Sequence, residues 1–140
     1  MLKLLVPMDG SERSRQSIDW IKARYNPQEI SVTLLMVRED WDNIRCKEQY
    51  AAAKEEVLPL LQQSADTLSG FSVVTEVRFG RAGEEILRFA EEKEIDTIVM
   101  TKSTKSGWIQ MIGSVATHVV KYAKCVVVIV PEQPAKQTGN

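Results

Sequence analysis

The chain has 140 residues, 44% hydrophobic and 26% charged, with a formal net charge of −1. This is the make-up of one soluble globular domain with enough apolar side chains to bury a core. The net charge gives no electrostatic case for nucleic-acid binding, which is not expected, and a single histidine leaves a His-based metal centre or a Ser-His-Asp triad little to build from.

Cys46 and Cys125 are far apart, match no ligand spacing and read as reduced thiols. No apolar run approaches the roughly 20 residues that span a bilayer, so no membrane insertion is expected. The N-terminal MLKLLVPMDGS meets Pro7, Asp9 and Gly10 too soon for a signal peptide and reads as a buried strand, which points to a cytoplasmic protein.

Along the chain, strand-like and helix-like segments alternate. Leu2 to Val6 is a first strand stopped by Pro7, and Asp9-Gly10-Ser11 forms a turn with a helix N-cap candidate. Ser14, Ile18, Ile21 and Tyr25 recur at helical spacing until Asn26-Pro27. Ile30 to Val37 is the second strand, followed by a polar loop to Asn43 that holds Trp41. From about Ile44 to Leu68 the pattern predicts a helix with Tyr50, Ala53, Val57, Leu60, Ser64 and Leu68 on one face. Pro59 predicts a kink or break near Glu55 to Leu58.

Phe71 to Arg78 alternates as a third strand, with Phe71, Val73, Thr75 and Val77 facing one way. The next helix turns Ile86, Leu87 and Ala90 inward and Glu84, Glu85, Arg88, Glu91 and Glu92 outward, so its acidic residues read as a solvated face. Ile95 to Met100 is the fourth strand, Thr101 to Ser114 a loop, and Ser114 to Lys124 the last helix. Cys125 to Val130 is a continuously apolar fifth strand, as expected where helices cover both faces. Residues 132–140 read as a flexible tail.

This β-α alternation predicts an α/β fold: a parallel sheet with helices on both faces, joined by right-handed crossovers. Ligands of such sheets bind beyond the carboxyl ends of the strands, where the winding reverses. If the first and fourth strands meet there, PMDGS (Pro7 to Ser11) and TKSTKSGWIQMIGS (Thr101 to Ser114) converge. The second loop lies between a strand and a helix, as phosphate-cradling loops do, but offers only Gly107 and Gly113.

Three stretches, LLVPMDGSERS, VRFGRAGEEILRFAEEKEIDTIVM and SGWIQMIGSVATHVVKYAKCVVVIVP, resemble the universal stress protein family, in order and from Lys3 to Pro131. The resemblance implies one domain over residues 1–131, with five parallel strands in the order 3-2-1-4-5 in a three-layer, Rossmann-like, adenine nucleotide alpha hydrolase-like fold. It also implies a dimer in a stress-response protein.

Family members that bind ATP carry G-x2-G-x9-G-[S/T] straight after the fourth strand. Its first two glycines fall on Thr101 and Thr104, and its third on Gly113, followed by Ser114; the interval from Thr104 to Gly113 is one residue short. A β-branched residue does not readily copy a glycine that needs positive φ. Lys102 and Lys105 nonetheless make the loop positive, and Ser114 is placed to cap the helix that Val115 continues, whose free N–H groups favour an anion. A solvated loop with an ordinary N-cap fits the same residues.

By the same resemblance Asp9 matches an aspartate that contacts the nucleoside, Pro7 and Val37 match adenine walls, and Met100 precedes the phosphate loop. Asp9 alternatively holds an Asx-type turn, with Val37 and Met100 as core. His118 falls on the flank of its helix, as a surface or dimer-edge residue. Trp108, Ile109, Met111 and Ile112 cover a pocket mouth, pack under the loop or form a partner surface.

The reading is a dimeric, non-enzymatic stress-response module that binds nucleotide weakly or not at all and docks on a protein partner. An ATP or AMP sensor, with Mg²⁺ only if ATP binds, is the alternative, and a slow ATP hydrolase the third. The dimer is expected through the apolar edge strand, Val126, Val127, Val128, Ile129 and Val130.

Overall fold

The computed structural model describes residues 1–11, 13–40, 44–102 and 113–132. The elements run β1 (Leu2–Met8), α1 (Arg13–Arg24), β2 (Ile30–Arg38), α2 (Lys47–Asp66), β3 (Ser72–Phe79), α3 (Ala82–Glu92), β4 (Thr97–Lys102), α4 (Ser114–Tyr122) and β5 (Val126–Pro131). The five strands form one parallel sheet in the order β3-β2-β1-β4-β5.

Because side chains alternate across a strand, the sheet feeds two cores. Leu4, Val6 and Met8 of β1 join Ile18 and Ile21 of α1 and Leu61 of α2 on one face. Leu5, Leu35, Ile98 and Met100 pack with Ile86 and Phe89 of α3 and Val119 of α4 on the other. Helices on both faces are therefore present, as the alternation predicts.

β1 does not stop at Pro7 but runs to Met8. It pairs with β2 from Leu2 to Met8, yet with β4 only at Leu4 and Leu5. Pro7 lies past the last β1–β4 pair, where a missing N–H leaves no ladder bond to β4 unmade. The sheet thus opens between β1 and β4 at their carboxyl ends.

β4 starts and ends two residues later than Ile95–Met100 would, so Thr101 and Lys102 are strand rather than loop, paired with Val130 and Pro131. At the other end of the chain, the Glu132 N–H still donates to the Lys102 carbonyl at 3.0 Å, so the first residue of the expected tail is held. Residues 133–140 lie outside the described residues, as do Glu12, Trp41, Thr104, Lys105, Gly107, Trp108, Ile109, Met111 and Ile112.

Three helix readings need correction. α2 runs unbroken through Pro59, and its buried positions are Ala53 and Leu61; Leu60 is 45% exposed and Tyr50 37%. Glu85 of α3 is 7% exposed rather than outward. It fits because Gly80, at φ +143°, leaves room: a Cβ there would lie 3.0 Å from Glu85 Cγ, and Arg88 pairs with the buried carboxylate. His118 is half-buried, not simply on the surface: a Cβ on Gly83 of α3 would come within 2.8 Å of its ring, so glycine lets α3 and α4 close.

Candidate functional site

At the carboxyl ends of β1, β2 and β4 the open sheet leaves a cleft of about 510 Å³, within the range of small-molecule sites. Pro7, Asp9, Val37, Met100, Thr101, Lys102, Gly113, Ser114 and Val115 all line it. These nine are every nucleotide-binding candidate from the sequence that falls among the described residues; Thr104 and Lys105 fall outside them. The ends of β1 and β4, far apart in sequence, meet here, and β2, α1, α3 and the start of α4 complete the wall.

Asp9 follows β1 directly and anchors an Asx turn. Its Oδ1 accepts the Ser11 N–H at 2.9 Å and the Ser11 hydroxyl at 2.6 Å. Its Oδ2 accepts from the Arg13 guanidinium at 3.1 Å. Partial burial pushes the Asp9 carboxyl up, but the bonds from Ser11 and the Arg13 charge outweigh it, and the group sits below its ordinary range. Gly10 makes the turn possible at φ +83°, and Ser11 Oγ accepts the Arg13 N–H at 3.3 Å to start α1.

At the far wall, Gly113 is the N-cap of α4 and Ser114 its first helical residue, with no side-chain cap bond. The expected Ser114 cap is therefore corrected. Gly113 has φ −52°, which any residue adopts, and a Cβ there meets nothing within 4 Å. Neither backbone conformation nor packing among the described residues demands glycine; the position simply keeps space in the cleft.

Thr101 is also settled by its strand. Its Oγ1 shares a 2.6 Å hydrogen bond with Ser17 Oγ of α1, and Ser17 is 1% exposed. A β-branched residue suits an extended strand position, so no positive φ is lost at Thr101. Lys102, beside it, pairs with no carboxylate among the described residues.

The structure adds cleft residues that the sequence reading missed: Arg13, Ser14, Arg38, Glu39, Ala82 and Ile86. Arg38 ends β2 and binds both Asp40 oxygens at 3.0 and 2.6 Å, Glu56 at 2.6 Å and the Ala53 carbonyl at 3.0 Å, tying α2 to the sheet. Those bonds, to Asp40 first and then Glu56, hold its guanidinium more firmly protonated than usual and outweigh the opposing effect of burial. Glu39 accepts the Ala82 N–H at 2.8 Å and so caps α3. Arg13, four residues after Asp9 at a helix start, carried the one legible signal; the others meet the cleft through the way β2, α1 and α3 pack together.

Among the described residues no three His, Cys, Asp or Glu converge as a metal site, and no helix is long and apolar enough to cross a membrane. The fold and cleft define a parallel α/β domain with an open cleft at its switch point.

The family model described as "Universal stress protein family" matches residues 1–131, and the chain belongs to that family. The universal stress protein MJ0531 of Methanocaldococcus jannaschii is 29% identical, the match covering 96% of this chain and 84% of the relative. The solved structure of hypothetical protein MJ0577 superposes with a TM-score of 0.78 at 26% identity, covering 96% of this chain and 98% of that one. Two more distant structures share the fold at a TM-score of 0.69. One is a universal stress protein in complex with cAMP, 17% identical over 94% of this chain and 98% of its own. The other is a family protein from Arabidopsis thaliana with AMP bound, 13% identical over 100% of this chain and 98% of its own.

Proposed function

We propose that this universal stress protein is a stress-response module whose cleft takes an adenine nucleotide mainly by its nucleoside half and holds the outer phosphates weakly. The observation that carries it is the convergence of Pro7, Val37, Met100 and Val115 with the Asp9 carboxylate on one cleft of about 510 Å³. Apolar walls with one oriented acceptor suit a base and a hydroxylated sugar. The space beside Gly113 admits a ligand at the start of α4, where free N–H groups favour an anion. The AMP and cAMP bound by two distant relatives support the same ligand class.

The outer phosphates are the weaker half, because Thr101 is a strand residue tied to Ser17 and contributes no glycine turn. Asp9 offers Mg²⁺ little, because its Oδ1 already accepts two bonds from Ser11 and a single remaining carboxylate oxygen is a poor metal site. In this reading the protein acts by binding and docking rather than by turnover, in the cytoplasm, as a homodimer through the β5 edge. Calorimetric titration tests the nucleotide reading. AMP and ATP should bind within about tenfold of each other, and protein purified without ligand should carry no stoichiometric nucleotide. ATP retained through purification, or no uptake of either nucleotide, overturns it.

A further inference from the structure

The charged groups of the cleft are unequally committed. Arg38 is taken up by Asp40, Glu56 and the Ala53 carbonyl, and Glu39 by the Ala82 N–H. The Arg13 guanidinium has Asp9 as its partner among the described residues, through one N–H of the five that a guanidinium carries. The pair is open to water, with Arg13 and Asp9 side chains 34% and 56% exposed, so it is held loosely. Both residues line the cleft.

We propose that Arg13 is a specificity-determining residue that occupies Asp9 while the cleft is empty and passes to the ligand's phosphate when a sugar hydroxyl takes Asp9. The proposal rests on the nucleotide reading above and deepens it, naming nucleoside monophosphates as the preferred class. The exchange is chemically matched. A hydroxyl donates to the carboxylate that Arg13 leaves, and the planar guanidinium fork fits two phosphate oxygens better than one exposed carboxylate oxygen. Asp9 keeps its Ser11 bonds throughout, so the turn stays in place. Arg13 is the first residue of α1, and carrying its guanidinium from carboxylate to phosphate is a change of side-chain rotamer.

The test is titration of the full chain with adenosine and with AMP, in the wild type, Arg13→Gln and Arg13→Lys. The wild type should prefer AMP by about tenfold, the usual worth of a charge-assisted bond. Arg13→Gln should lose that preference, with AMP affinity falling about tenfold while adenosine affinity stays the same or rises, since its competitor for Asp9 is gone. Arg13→Lys keeps the charge and should retain part of the preference. Equal wild-type affinity for the two ligands, or an Arg13→Gln variant that weakens both alike or spares AMP, overturns the role of Arg13 and leaves the nucleotide reading standing. A wild type that binds neither ligand overturns both.

Discussion

At the scale of single residues, the cleft depends on positions whose chemistry is set by their local backbone. Gly113 has an ordinary φ of −52° and open space where a Cβ would go. Gly113→Val should therefore cost only the loss of a good N-cap, about 1 kcal/mol in urea unfolding, while filling the cleft and removing AMP binding in the same titration. Asp9 behaves differently, because its carboxyl is held below its ordinary range by Ser11 and Arg13 despite partial burial. A depressed carboxyl contributes stability that is present above the unfolded value of about 4 and is lost as pH falls through the folded value. The stability gap between wild type and Asp9→Asn, read by thermal melts, should be full at neutral pH and close below about pH 4. A gap that stays constant with pH would show that the loss is packing rather than charge.

At the scale of elements, helical periodicity located α2 but misjudged which leucine it buries. Leu60 and Leu61 are neighbours, and a 3.6-residue period admits either on a face drawn from Ala53 and Val57. Contact with β2 and β3 decides for Leu61, which is fully buried, while Leu60 is 45% exposed. Leu61→Ala should cost about 2–5 kcal/mol in urea unfolding and Leu60→Ala less than about 1 kcal/mol. Equal losses would refute this orientation of the helix. Pro59 does not break α2 into two helices. Arg38, through Ala53 and Glu56, ties the first half of the helix to β2. Arg38→Ala should accordingly raise amide exchange in the segment from Lys47 to Val57 more than in the segment from Leu61 to Asp66.

At the scale of the whole molecule, β5 is an edge strand with Val126 60% exposed, and Val120 and Tyr122 of α4 are exposed at 48% and 54%. An apolar edge invites a partner, and a second copy of the chain is the economical one. Light scattering at micromolar concentration should return a dimer, and Val126→Lys should return a folded monomer. A wild-type monomer at that concentration would remove β5 as a self-association surface.

Strand and helix alternation and the run of core residues in β1 and β2 follow from the sequence, because side-chain periodicity is a local property of the chain. Its motifs also carried the family resemblance and placed Pro7, Asp9, Val37, Met100 and Gly113 near one another. Tertiary pairing alone decided the rest. The register of β4 on β5 drew Thr101 into the sheet, and its hydroxyl found Ser17 across a sequence gap of 84 residues. The short β1–β4 pairing opened the cleft, and β2 and α3 brought Arg38, Glu39 and Ala82 to its rim. A residue's spacing records its own element's period; the partner it meets depends on how separate elements pack, which no local pattern contains.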